Sequence, residues 1–75
     1  MKKRQVYNRL RVVLAETNKS NRDIANHLNM SETTVSKWVN NRKQPSLQII
    51  FEIAKFLKVS PTELIEKEEK YIEDK

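Results

Sequence analysis

The side chains able to make or break bonds are few in this chain. Among 75 residues there is one histidine, His27, and there is no cysteine and no glycine. Without cysteine there is no disulfide and no thiolate zinc site. Without glycine the phosphate-cradling loops of nucleotide enzymes cannot form, and a single histidine excludes the His-pair metal motifs. His27 stands four residues after Asp23, a spacing that puts an imidazole and a carboxylate on one helical face. A catalytic pair of this kind needs a third member, and none is evident. Asp23 also has a structural use, given below. The inventory points to binding and not to turnover: no enzyme activity, no metal and no cofactor are expected.

What the composition offers instead is charge. Lys and Arg number 15 against 10 Asp and Glu, for a net charge of +5. The excess is uneven. Residues 1–60 carry twelve basic against four acidic side chains, and residues 61–75 carry three against six. A basic body with an acidic tail suits a polyanion partner, the tail being held away from it. On charge alone, an ordinary solvated surface accounts for the pattern as well. The longest apolar run, Val12 to Ala15, is far short of the roughly 20 residues of a membrane span or the roughly 7–15 of a signal peptide core. A cytoplasmic protein with no membrane partner is expected. The length allows one domain, and a domain this small buries about 60% of its unfolded surface, leaving a thin core and no deep pocket.

The elements that must position any binding residues read as short helices. In segment 6–16, Val6, Leu10, Val13 and Leu14 form one helical stripe, and Asn18 is a plausible stop. Segment 20–28 opens on Ser20 with Asp23 three residues on, a variant of the capping box. Its Ile24, Ala25 and Leu28 face inward, and Asn29 follows. Segment 31–40 opens on Ser31. Val35, Trp38 and Val39 give it an apolar side, and Glu32, Thr33, Ser36 and Lys37 lie off that side. Trp38 stands one helical turn after Val35 and belongs with the core. Residues 40–46 have loop composition. Segment 47–57 carries the inward stripe Leu47, Ile50, Ile53, Ala54 and Leu57, with Ile49 and Phe56 off it. Ser60-Pro61-Thr62-Glu63 is a strong helix start, with Pro at the first position and Glu at the third. No β pattern, repeat or linker is evident. The spacing predicts an all-α domain of five short helices over residues 1–66, with a helix-turn-helix at 20–40. Residues 67–75 form a charged tail or an extension of the last helix.

From Ser20 to Trp38 the sequence resembles the Cro/phage-repressor class of helix-turn-helix regulators, the XRE family with its lambda-repressor-like domain. The resemblance rests on an ordered set: Ile24-Ala25, the Asn29-Met30 turn, Ser31, Val35-Ser36-Lys37-Trp38, Pro45-Ser46-Leu47, Ile53-Ala54 with Leu57, and Ser60 through Glu63-Leu64. It runs from about Leu10 to Ile65. Family members usually carry Gly where this chain has Asn18, Asn29, Asn41 and Lys58. Asn tolerates a left-handed backbone best among non-glycine residues, so Lys58 is the odd one. Family members often carry Glu at Val39 and Gln at Asn21.

The resemblance implies a compact five-helix fold whose third helix enters the major groove. By position, Glu32, Thr33, Ser36 and Lys37 are then the base readers: Glu accepts from cytosine N4, Lys donates to guanine O6 and N7, and Thr hydrogen-bonds or meets a thymine methyl. Without the resemblance the four read as the solvated face of an amphipathic helix. Asn21 at the start of the second helix, and Asn40, Arg42 and Lys43 after the third, are the implied phosphate contacts. Lys2, Lys3 and Arg4 form a flexible basic arm. Ile49 and Phe56 share a face of the fourth helix and are the expected self-association surface, with a wider core as the alternative. The function so implied is a sequence-specific transcription regulator, a repressor of bacterial or phage type, binding double-stranded DNA as a homodimer without a small-molecule effector. The alternative is an antitoxin or adaptor of the same fold whose main partner is another protein.

Overall fold

The computed structural model describes residues 2–74; Met1 and Lys75 of the expected ranges lie outside the described residues. The order of elements is β1 (Lys2–Gln5), α1 (Leu10–Glu16), α2 (Asn21–Leu28), α3 (Glu32–Val39), α4 (Leu47–Leu57), a 3-10 turn (Pro61–Leu64) and β2 (Tyr71–Asp74). The domain is mostly helical, as expected, with four α-helices among the described residues and a 3-10 turn in place of the fifth. Ser60 caps that turn, its Oγ accepting from the Thr62 N–H at 3.4 Å. The turn stops at Leu64 because the backbone beyond it pairs elsewhere. Arg9 donates to the Leu64 carbonyl and Glu66 to the Tyr7 carbonyl, both at 2.8 Å.

The same pairing corrects the start of α1. Val6 fits the helical stripe by spacing, yet it lies in extended chain and donates to the Lys70 carbonyl at 2.8 Å. Helix begins only at Leu10, whose N–H donates to Asn8 Oδ1 at 3.1 Å. The remaining starts follow the sequence. Ser20 and Asp23 form the reciprocal capping box, Ser31 Oγ accepts from the Thr34 N–H and Ser46 Oγ from the Ile49 N–H. Each cap satisfies a backbone donor that would otherwise lack a partner.

All four helices end in one way. The residues with positive φ are Asn18, Asn29, Asn41 and Lys58, at 56–58°. Behind each, the next N–H donates five residues back: Lys19 to Leu14, Met30 to Ala25, Arg42 to Lys37 and Val59 to Ala54. This is the Schellman arrangement, which usually takes Gly at the left-handed position. Thus the four positions at which the resemblance flagged a missing Gly are the four that need a left-handed backbone.

The core is a single cluster of thirteen buried apolar residues, among them Leu10, Val13, Ile24, Val35, Trp38, Ile53 and Leu64. Trp38 is buried, as expected, and so is Val39. Leu47 is not. It is 66% exposed, because it is the first residue of α4 and its spacing carries it past the end of the cluster it was expected to join.

The largest departure lies at the two ends. β1 and β2 pair antiparallel, with Lys3 opposite Glu73, Arg4 opposite Ile72 and Gln5 opposite Tyr71. The basic N-terminal arm and the acidic tail are therefore two strands of one ribbon, not a free arm and a helix extension. A two-stranded ribbon is marginal by itself in water. Here the Glu66 carboxylate anchors it: the side chain is only 6% exposed and faces Lys70 at 3.0 Å and Arg9 at 3.8 Å. Among the described residues no helix is long and apolar enough to cross a membrane.

Candidate nucleic-acid interface

Helices α2 and α3 meet across the Asn29-Met30 turn, with Ile24, Ala25 and Val35 buried between them and the rest of the core. That packing turns the polar side of α3 outward. A shallow groove of about 370 Å³ runs along it, lined by Asn21, Glu32, Thr33, Ser36, Lys37, Asn40 and Arg42. All four expected base readers and three of the four expected phosphate contacts line this one groove. Lys43 stands outside it; its N–H donates to the Lys37 carbonyl at 3.2 Å, so it belongs to the same turn. Asn21 and Asn40 also line a second depression of about 430 Å³ with Arg11 and Lys19. Two basic side chains that the sequence did not single out thus border the same surface.

The C-terminal end of α3 is held by a polar web. Asn40 Nδ2 donates to Ser36 Oγ at 3.2 Å, Asn40 Oδ1 accepts from the Arg11 guanidinium, and the Asn40 carbonyl accepts from Arg4 of β1. One residue on, Asn41 is 8% exposed. Its Oδ1 accepts from the N–H groups of Tyr7 and Asn8 and from Gln44 Nε2, and its Nδ2 donates to the Asn8 carbonyl. Buried Asn8 completes the web by donating to the Trp38 carbonyl and to Gln44 Oε1, both at 2.8 Å. Buried polar groups cost free energy unless paired, and here they pair with one another. The web fixes the α3–α4 turn against the entry to α1. No local signal in the sequence marks it except Asn41 at a left-handed position.

At the other end of α3, Glu32 is paired. Its Oε1 accepts from Arg22 Nε of α2 at 2.7 Å. That hydrogen bond first, and the charge second, raise the Arg22 pKa further above its ordinary value. The Asp23 carboxyl is held below its ordinary pKa by the Ser20 N–H and then by the Ser20 hydroxyl, so its capping use accounts for it. Among the described residues His27 has no acidic partner; its ring stacks on Phe56 with centroids 4.2 Å apart. The Lys19 ammonium lies 5.4 Å from the same ring.

The structure places the two residues of the expected self-association face at the margin of the core. Ile49 and Phe56 are half-buried and pack against the cluster. The large apolar side chains that α4 leaves in solvent are Leu47 and Phe51, at 66% and 53% exposure.

The helix-turn-helix family profile matches residues 10–64, which is α1 through the end of the 3-10 turn and leaves the β1–β2 ribbon outside it. Among solved structures, the chain is similar to the crystal structure of a candidate DNA-binding protein from Bacteroides fragilis. The two are 42% identical, with a TM-score of 0.79, over 83% of this chain and 98% of that one. No curated protein matches the chain. A family match across more than two thirds of the chain, with the α2–turn–α3 geometry it requires, means that the chain belongs to the XRE/Cro-type helix-turn-helix family.

Proposed function

We propose that this protein is a sequence-specific DNA-binding transcription regulator that lays α3 in the major groove and represses by occupying its site. The observation that carries this is the groove itself. Side chains able to hydrogen-bond to base edges (Glu32, Thr33, Ser36 and Lys37) share it with Asn21, Asn40 and Arg42, which supports base readout by the first four and phosphate contacts by the last three. The net charge of +5 supplies the long-range attraction to a polyanion. The similar protein from Bacteroides fragilis, a candidate DNA-binding protein, supports the same partner.

The reading extends to a homodimer, which presents two α3 helices to two half-sites about 34–36 Å apart on one face of the duplex. The exposed Leu47 and Phe51 support a contact between chains through α4. A second reading, an antitoxin or adaptor whose main partner is another protein, draws on the same exposed pair. Binding-site selection from random duplex DNA with the purified protein tests both. An enriched inverted repeat is expected. A lack of any enriched sequence at low salt would overturn the DNA-reading function and favour the protein partner.

A further inference from the structure

The contact between Arg22 and Glu32 joins the second residue of α2 to the first residue of α3, ten positions apart across the turn. Fold stability does not explain it. The side chains are 76% and 52% exposed, and exposed ion pairs contribute about 0–1 kcal/mol. The angle between α2 and α3 is already set by buried Ile24, Ala25 and Val35 and by the hydrogen bond from Met30 to Ala25. What the contact does is orient a guanidinium. It uses Arg22 Nε and one oxygen of Glu32. Among the described residues no partner takes the two terminal amino groups of Arg22 or the second carboxylate oxygen of Glu32, and Glu32 itself lines the α3 groove.

Taken together these groups offer two donors beside an acceptor. The major-groove edge of a G·C pair presents the complement: guanine N7 and O6 accept, and cytosine N4 donates. Charge points the same way. A lone carboxylate entering the field of the DNA phosphates is repelled, whereas a carboxylate already paired with a guanidinium enters as a neutral unit. We infer that Arg22 and Glu32 act as one composite reader of a single G·C base pair in each half-site. Arg22 forks onto guanine and Glu32 both aims it and accepts from the paired cytosine. The inference deepens the proposed function and rests on DNA being the ligand of the α3 groove.

The test is binding-site selection, followed by titration of the selected duplex, with the wild type, Arg22→Ala, Glu32→Gln and the double variant. Both residues are exposed, and circular dichroism checks that each variant folds. The expected wild-type motif has one fixed G·C pair per half-site that both single variants cease to require, the rest of the motif being kept. Each single substitution should weaken binding to the wild-type site about 10- to 100-fold. The double variant should be no weaker than the weaker single one by more than about twofold, since the pair acts as a unit. Uniform weakening of Arg22→Ala on all sequences, with a shallower salt dependence, would make Arg22 a phosphate contact and overturn the inference. So would loss of the G·C requirement in Glu32→Gln alone. A wild type that selects a motif while Arg22→Ala selects the same motif refutes only the composite reader. A wild type that selects nothing removes the DNA-reading function and the composite reader together.

Discussion

Replacing Asn41 and Lys58 by glycine should move stability in opposite directions, although the backbone conformation is the same at both. Each has φ near 57° and each ends a helix in the same way. A left-handed backbone costs an ordinary L-residue about 1–2 kcal/mol, and glycine gives back about 0.5–1 kcal/mol in unfolded-chain entropy. Lys58 is exposed, so Lys58→Gly should gain the difference, about 0.5–1 kcal/mol. For a domain of this size that raises Tm by roughly 2–8 °C. At Asn41 the backbone gain is smaller, because Asn tolerates this region, and the side chain is the hub of four hydrogen bonds. Glycine there would leave the N–H groups of Tyr7 and Asn8 and the Asn8 carbonyl without those partners in a buried site. At about 1 kcal/mol for each lost bond, less what water recovers, Asn41→Gly should cost about 2–4 kcal/mol. Urea and thermal unfolding of the two variants beside the wild type measure both numbers, and an unchanged m-value would show that stability changed without a change in the compactness of either state. An Asn41→Gly protein as stable as the wild type would refute the view that the polar web, and not the backbone, makes this position asparagine.

Other outcomes follow from the candidate interface. If each monomer neutralises about four phosphates, the dimer's log K should fall against log salt with a slope near about −7. Arg42→Ala should weaken binding to every sequence alike and make that slope shallower by about 1 per chain, whereas Lys37→Ala should cost about 1–3 kcal/mol at one base position only. A slope shallower than about −2 in filter-binding titrations would mean that DNA is not the partner. The Asp23 carboxyl has a folded pKa below its unfolded one. Its contribution to stability is therefore present above the unfolded pKa and is lost as pH falls through the folded one. Acid unfolding curves of Asp23→Asn should be flatter than the wild type's below about pH 4 and run parallel to them near neutrality. If the chains pair through Leu47 and Phe51, as proposed, light scattering separates the two faces of α4: Phe51→Glu should dissociate the dimer, and Phe56→Glu should lower stability while leaving the dimer in place. The reverse result would make Ile49 and Phe56 the contact.

The parts of the fold that were legible in the sequence are those written in neighbouring residues. Ser20 and Asp23 announce a helix start because the capping box needs only those two at that spacing. Asn18 and Asn29 announce helix ends because few other residues accept the backbone required. Resemblance added the third and fourth left-handed positions and the polar face of α3, and the structure brings that face together around one groove. What spacing misjudged lies at the ends of elements. Val6 fits the stripe of α1, and Leu47 that of α4, but periodicity has no means of saying where the helix or the core stops. What it missed is non-local. β1 and β2 carry no alternation of apolar and polar residues, and their match of basic against acidic strand exists only in the register that folding brings about. Arg22 with Glu32, and Asn8 with Asn41, meet for the same reason: the chain between them had to fold first.

The ribbon has a practical consequence for anyone handling this protein. Its register places Lys2 opposite Asp74, so the two ends of the described residues lie side by side. The first of the two strands carries Arg4, whose guanidinium holds the Asn40 carbonyl at the rim of the α3 groove. An affinity tag at either terminus is thus attached to the frame of the candidate DNA surface. A highly charged tag will add its own field beside the groove. Untagged protein is the material on which affinities and salt slopes should be measured.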